Sequence, residues 1–389
     1  MENIKQLDVT TDYKSIFALS EFAFQYKLDP DALEQKKQEA AQHIIWGVMD
    51  NDQIAAKLHL LPLSVYINGK EMEMGGISAV ATWPEYRRNG MVKQLLHHSL
   101  KYMKRHGQTI SFLYPFSFAY YRKYGWELSF GKKEYKLPIG HLPKDTNTNG
   151  YVRRIEPDIT LLNSIYSTYA KNFTGMLARD EKWWNDRVLT KKNMHIAIAY
   201  NNNHEPIGYI LFNVKKEIFN VIDMAYTSMN GRNLLLKFIA NHDSMVKTVE
   251  MTVPENDKLS LFMDEARFEQ KTTPYFMARI VDVHTFLKQF PFTEGGEQIT
   301  IHVKDDFFPE NTGTYQLQLN GANTNVTFIN GKHVQSGIHC SVQKLTSMCL
   351  GYVRPMELFE MGLIHGDKEN VQNLEGIIPE QQPFFADFF

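Results

Sequence analysis

Ile77-Ser78-Ala79-Val80-Ala81-Thr82-Trp83-Pro84-Glu85-Tyr86-Arg87-Arg88-Asn89-Gly90-Met91-Val92 is an apolar run that ends in a basic, glycine-bearing turn and opens directly into an amphipathic segment. Val92, Leu95, Leu96, Ser99, Leu100 and Met103 recur at helical spacing, Lys101, Lys104 and Arg105 take the polar side, and Gly107 marks a stop. Strand, turn and helix in this order make a seat for phosphate. The first amides of a helix have no internal partners and carry a partial positive charge. Gly90 lets an anion reach that backbone, and Arg87 and Arg88 add full charges.

Thr109 to Leu113 then reads as a buried strand, followed by Phe116-Ser117-Phe118-Ala119-Tyr120-Tyr121-Arg122-Lys123-Tyr124-Gly125-Trp126. Strand, Arg-x-x-Gly turn, helix, strand and Tyr-x-x-x-Gly-aromatic, in that order, resembles the GNAT superfamily of N-acetyltransferases. The resemblance implies that Arg87, Arg88, Asn89, Gly90, Met91, Val92 and Lys93 hold the pyrophosphate of acetyl-CoA. It further implies that Val80, Ala81 and Thr82 pair with the pantetheine arm, that Phe116 and Ser117 also meet the cofactor, and that Tyr121 faces the thioester sulfur. One position departs from the pattern: Val92 stands where that family usually has Gly or Ala, and its side chain would crowd the pyrophosphate if it pointed inward.

The 389 residues exceed one ordinary core, so two or three domains are expected. A hydrophobic share of 43% beside 22% charged residues is that of a soluble globular chain. A net charge of -2 supplies no basic field for gripping a nucleic-acid backbone, which argues against that partner. The N-terminus lacks the apolar core of a secretory signal, and no run nears the ~18 apolar residues that span a bilayer, so a cytoplasmic, non-membrane protein is expected. Cys340 and Cys349 are too few for a disulfide framework. Gly76-Ile77-Ser78-Ala79-Val80 lacks the closing glycine of a nucleophile elbow, and the histidines, His97 and His98 included, show no zinc spacing. No metal is expected.

Along the chain, residues 17–40 read as helix broken at Pro30, and His43 to Met49, Ile54 to Val65 and Met72 to Thr82 as strands, the last two joined at Asn68-Gly69, a strong hairpin signal. A strand over Glu127 to Leu137 completes a first unit, and the polar stretch from Lys144 to Gly150 reads as a linker. From Tyr151 the order repeats, ending in a strand over Tyr275 to Val281, but its turn at Thr227 to Arg232 lacks Arg-x-x-Gly and Asp264 to Phe268 lacks Tyr-x-x-x-Gly. A second GNAT-like fold without cofactor binding is therefore expected. The third unit has strands, a turn at Asn330-Gly331, and then helices over Val342 to Leu350 and Pro355 to Met361. With Leu358 to Gly366 it resembles a sterol-carrier-protein domain. The expected class is α+β: an active GNAT domain at 1–150, a degenerate one at 151–288, and a sterol-carrier-like domain at 289–389.

Taken whole, this order resembles the enhanced intracellular survival family of acetyltransferases, whose members acetylate amines, including several positions on aminoglycosides. The resemblance makes Tyr121 the general acid and the terminal carboxylate of Phe389 the base end of a proton path, and it implies a hexamer. The chemistry suits these groups, since an amine attacks a thioester only when neutral and a phenol can protonate the departing thiolate. A polycationic acceptor favours carboxylates and aromatic faces, and Asp29, Asp387, Trp46 and Trp184 are candidates. Two other readings remain open, a protein or peptide lysine N-acetyltransferase and a lipid-binding or assembly module with a decayed acetyltransferase unit.

Overall fold

The computed structural model describes residues 4–143, 147–190, 193–293, 298–320, 323–330 and 337–389. Asn68 and Gly69 both take left-handed φ angles, 47° and 78°, and close the expected two-residue hairpin with Ile67 opposite Lys70. The linker expected from Lys144 and the turn expected at Asn330-Gly331 lie partly outside the described residues.

The first sheet contains β1 (Ile4–Leu7), β2 (Ile44–Asp50), β3 (Gln53–Ile67), β4 (Lys70–Thr82), β5 (Ile110–Leu113) and β6 (Glu127–Leu128). Two helices lie between β1 and β2, α1 (Tyr13–Phe24) and α2 (Pro30–Ala40). The Asp29 carboxylate caps α2 by accepting from the Ala32 amide at 2.8 Å, and Pro30 fits the first helical position. After β4 comes α3 (Met91–Arg105), whose Leu95, Leu96, Ser99, Leu100 and Met103 are buried as the helical spacing predicts. A short helix, α4 (Phe118–Arg122), carries Tyr121.

The expected strand over Glu127 to Leu137 is in fact two strands in two sheets. β6 stays in the first sheet, whereas β7 (Gly131–Pro138) joins the second, which runs β13-β7-β12-β11-β10-β9-β8. Its other members are β8 (Tyr151–Ile155), β9 (His195–Tyr200), β10 (Pro206–Lys215), β11 (Ile218–Tyr226), β12 (Thr248–Val253) and β13 (Glu269–Pro274). In return β14 (Met277–Ile280), expected to finish the second unit, sits between β5 and β6 of the first sheet. The two crossing segments bond to each other: the Ser129 and Phe130 amides both donate to Phe276 O at 3.2 Å, and the Tyr275 amide donates to Phe130 O at 2.9 Å. Phe130, Phe276, Phe112 and Phe385 pack around that crossing. Alternation of apolar residues tells which face of a strand is buried but not which strand lies beside it, so the exchange is a property of the tertiary fold.

A third sheet has β17 (Asn323–Ile329), β16 (Gly313–Asn320), β15 (Ile299–Lys304) and β18 (Ile338–Ser341) in that order, with helices Val342–Cys349, Pro355–Glu360 and Lys368–Ile377. Arg279 on β14 joins this part to the first sheet through a fully buried ion pair with Asp305 at 2.5 Å, and it also donates to the Tyr124 carbonyl. Gly125 has φ 89°, and a Cβ there would lie 2.0 Å from Arg279 Nη1. The glycine of the Tyr-x-x-x-Gly pattern is thus required both by backbone conformation and by the arginine passing beneath it.

The chain ends by strapping itself across both GNAT-like sheets. The Phe384 amide donates to Thr174 O at 2.9 Å, and the Thr174 amide donates to Gln382 O at 3.0 Å. Thr174 Oγ1 is buried between Asn68 Oδ1 and Gln381 Oε1, at 2.9 and 3.0 Å. Thr174→Val is expected to cost about 1–2 kcal/mol by orphaning these partners. A lower urea midpoint would register the loss; an unchanged midpoint would mean that the aromatic residues alone hold the tail.

Candidate active site

β4 pairs with β5 only from Met74 to Ile77, and beyond Leu113 the chain leaves the sheet. The rest of β4 therefore has an open edge on that side, with backbone groups available to an extended ligand. On its other side β4 carries a bulge: Lys57 faces Ala81 and His59 faces Ser78, so Ala79 and Val80 together oppose Leu58. Ala79 has φ 48°, uncommon for a residue with a side chain. Against this irregular stretch lies a cavity of about 490 Å³, walled by Ile77 to Val80, Tyr114, Phe116, Tyr121, Phe388 and Phe389, and by Phe17, Tyr26, His43 and His59.

The basic turn is open and left-handed. Arg88 and Gly90 take left-handed φ, 68° and 74°, no side chain caps α3, and Arg87, Arg88, Asn89, Gly90 and Lys93 are exposed. Nothing lies within 4 Å of where a Gly90 Cβ would be, so space for an anion exists there. Met91 and Val92 are half-buried against the core that holds Leu95 and Leu100. Val92 therefore points inward to protein, and the crowding its size suggested does not arise. Val80 is on the cavity wall; Ala81 is buried and Thr82 half-buried with its hydroxyl unpartnered. Phe116 is exposed at the cavity, and Ser117 caps α4 by accepting from the Tyr120 amide at 3.3 Å.

Gly90→Glu is expected to weaken acetyl-CoA binding about 10-fold or more, because a carboxylate would face the pyrophosphate. Gly90→Asn tolerates the same φ without the charge and should bind near the parent level. Calorimetry distinguishes them, and equal affinity of Gly90→Glu and the parent would remove the turn from the binding site.

Tyr121 and Phe389, remote in sequence, line the same cavity. Tyr121 is buried, with ring contacts to Phe116, Tyr120 and Trp126. Burial pushes its phenol well above the usual tyrosine range, with Tyr124 adding to the shift, so the proton is held at neutral pH. The Phe389 ring sits over Gly76, where a Cβ would approach it to 2.8 Å, and against Phe276 and Phe385.

The expected acceptor residues fare differently. Asp29 is an exposed helix cap and is not on the cavity wall. Trp46 is buried against His98 and Tyr102, and Trp184 is buried with its indole donating to Asn163 Oδ1 at 2.9 Å. Both are core residues, as large apolar rings usually are. Asp387 is buried and taken up by protein: Arg179 meets it at 3.0 to 3.2 Å and the Trp183 indole donates to it at 2.8 Å. It anchors the tail rather than offering a free carboxylate to an amine. No periodic signal marked the residues found instead, Phe17, Tyr26, His43, His59 and Tyr114, because they come from five separate segments.

A second cavity of about 520 Å³ adjoins the first, sharing Glu39, Arg187 and Phe388, and carries the carboxylates Glu134, Asp186, Asp223, Asp257 and Asp387 among its walls. Arg179, Arg187 and Arg232 lie there too, and Arg179 and Arg232 pair with Asp223 and Asp257.

In the second GNAT-like sheet, the helix Met229–Ala240 occupies the place corresponding to α3. Ser228 Oγ accepts from the Gly231 amide at 3.2 Å, and Arg232 in its first turn is buried against Asp257 at 2.9 Å. One first-turn amide is thus capped, and the arginine charge beside it is paired. Among the described residues no cluster of three or more His, Cys, Asp or Glu is placed to hold a metal, and no helix is long and apolar enough to cross a membrane.

Comparison with known proteins agrees with this geometry. Residues 3–129 and 175–280 each match a family described as acetyltransferase (GNAT) domain, and residues 283–386 match the sterol carrier protein domain. An uncharacterised N-acetyltransferase of Streptomyces griseus is 24% identical over 133 residues, an alignment that covers 31% of each chain. Three solved structures share the whole fold. They are a conserved protein of unknown function from Enterococcus faecalis V583 (TM-score 0.91, 24% identity, 99% of both chains), a GCN5-related N-acetyltransferase from Anabaena variabilis (0.88, 22%, 99% of this chain and 100% of that one) and Eis1 from Mycobacterium abscessus (0.82, 16%, 100% of both).

Proposed function

Because this chain belongs to the GNAT superfamily of acetyltransferases, and carries two GNAT domains followed by a sterol carrier protein domain in the order of the enhanced intracellular survival proteins, we propose that it acetylates primary amines of a small polycationic acceptor such as an aminoglycoside. The observation that carries this reading is one cavity at the open edge of β4 that holds both Tyr121 and the C-terminal Phe389 and adjoins a second whose wall carries six carboxylates, Glu39, Glu134, Asp186, Asp223, Asp257 and Asp387, against the four cations Lys132, Arg179, Arg187 and Arg232. Acetyl-CoA is bound by the 1–150 unit, with the free amides and arginines of the Arg87 to Lys93 turn on the pyrophosphate and Val80 to Thr82 beside the pantetheine. The 151–288 unit binds none, since Ser228 and Arg232 occupy its helix start, and the 289–389 unit delivers the tail.

When bound, acetyl-CoA supplies an activated thioester. The Phe389 carboxylate accepts the proton of the incoming ammonium, the Val80 amide faces the developing oxyanion, and Tyr121 returns a proton to the sulfur. The protein acts in the cytoplasm as a hexamer. Thiol release from acetyl-CoA with kanamycin, spermidine or a lysine-containing peptide tests the acceptor class. Release with kanamycin is the expected result; release with the peptide alone would transfer the assignment to proteins, and release with none would defeat amine acetylation.

A further inference from the structure

Lys57 on β3 is completely buried, and among the described residues it makes no ion pair. Its Nζ lies 3.1 Å from His59 Nε2 and 3.3 Å from the carbonyl of Ala79, the bulged residue of β4. His59 Nδ1 lies 3.2 Å from His43 Nδ1, and both histidines are on the wall of the Tyr121–Phe389 cavity. A continuous chain of three titratable groups thus runs from the cavity into the gap between two strands. An isolated buried ammonium is costly, so so unusual a placement marks a candidate functional group.

The geometry points to a second proton-accepting route for the acetyl transfer, in which His43 and His59 carry a proton from the acceptor ammonium to Lys57. This rests on the amine-acetylating reading above. In the receiving state Lys57 is a neutral amine, His59 carries its hydrogen on Nε2 and donates it to Lys57 Nζ, and His43 carries its hydrogen on Nδ1 and donates it to His59 Nδ1. His43 Nε2 is then free to accept. When it takes one proton from the substrate ammonium, the His43 Nδ1 hydrogen passes to His59 Nδ1 and the His59 Nε2 hydrogen passes to Lys57. One proton has left the substrate, one has arrived on Lys57, and both rings are neutral before and after. The reverse relay returns the proton to water once the acetylated product has gone.

The terminus of the route also touches the reacting carbonyl's environment. The carbonyl that accepts from Lys57 belongs to the Ala79–Val80 peptide, which the bulge takes off the regular ladder. A charged Lys57 polarises that peptide and strengthens its other end, the Val80 N–H, as a donor. Proton uptake and oxyanion stabilisation are coupled through one peptide unit.

Charges around the chain favour this assignment of states. Burial pushes Lys57 down to about 7 and His43 down to about 3, and His59 falls well below the usual histidine range, again from burial. Lys36 of α2 and Lys182 and Arg187 of the 181–188 segment add repulsion to His43. Their own partners are Glu39, 2.7 Å from Lys36 and 3.4 Å from Arg187, and Asp186, paired with Lys182. Tyr26, Tyr114, Tyr121 and the terminal residue Phe389 are the other titratable members of the cavity wall. Lys57 is consequently the member that changes charge near neutrality, able to accept above pH ~7 and blocked below it.

Lys57→Met and Lys57→Arg test the route on the full chain, with kanamycin as acceptor. Both should bind acetyl-CoA like the parent by calorimetry. Both should lower kcat/KM about 10-fold at pH 8, short of the ~10²-fold of a sole proton acceptor because the Phe389 route remains, and lose the acid limb centred near pH 7. Arginine keeps the donor to Ala79 but cannot take up a proton, so a fully active Lys57→Arg would overturn the relay. So would parent-like rate and pH profile in Lys57→Met. An independent readout is the Lys57 side-chain carbon resonance, assigned by its loss in Lys57→Met: a midpoint near 7 supports the route, and one near the ordinary ~10.4 overturns it. A parent protein inert toward kanamycin, spermidine and peptide would count against amine acetylation, and the resonance would still decide on Lys57.

Discussion

Tyr121→Phe is expected to bind acetyl-CoA as the parent does and to turn over at least ~10²-fold more slowly, the loss appropriate to a positioned proton donor. The substitution removes one oxygen and leaves the ring among Phe116, Tyr120 and Trp126, so the cavity wall is kept. Burial holds the phenol proton in place at neutral pH, and the short helix α4, capped by Ser117, fixes the ring relative to β4. Calorimetry and thiol release together read the result. A variant that binds and turns over like the parent would exclude Tyr121 from the chemistry and leave it as a packing residue.

The second large effect is expected at the end of the chain. Adding three residues after Phe389 of the Lys57→Met protein should lower acetyl transfer by a further ~10²-fold or more, because the terminal carboxylate becomes a peptide bond with no second acceptor left while every packing aromatic remains. Phe384 and Phe385 are buried, the Phe389 ring rests on Gly76, and Asp387 is locked by Arg179 and Trp183, so the tail has anchors that do not depend on the terminal charge. Thermal unfolding and gel filtration would verify that the extended protein folds and assembles like the parent. Turnover equal to that of unextended Lys57→Met would mean that the tail is an apolar strap without a catalytic role. If Lys57 provides a second route for the proton, the extended Lys57→Met protein should be slower than either single change.

The basic turn and its helix were legible because they are local. Arg87 to Val92 and the helix behind them are contiguous, and helical period, glycine and basic residues all report on one short stretch of backbone. The Asn68-Gly69 hairpin and the Tyr-x-x-x-Gly turn were legible for the same reason. The acceptor residues were chosen by residue type alone, and the structure scatters them: Trp46 and Trp184 are packed inside, Asp29 caps a helix, and Asp387, on the wall of the second cavity, is paired with Arg179. An aromatic ring or a carboxylate has the same letter whether it faces a ligand or the core. His43, His59 and Lys57 gave no signal, since His43, just before β2, meets His59 of β3 across a 16-residue separation that no short motif records.

What the sequence by itself determined is the set of elements with strong local causes: the hairpin, the basic glycine turn with its amphipathic helix, and the α+β class with a GNAT-like order occurring twice. These follow from backbone preferences and burial periodicities that act within a dozen residues. Only the tertiary structure decided that β7 and β14 exchange sheets, that Arg279 runs beneath Gly125 to Asp305, and that Phe389 reaches the cavity of Tyr121. Strand partnership, buried ion pairing and the path of a chain end depend on which apolar faces meet across hundreds of residues, and side-chain pattern along one segment carries no record of its distant neighbour.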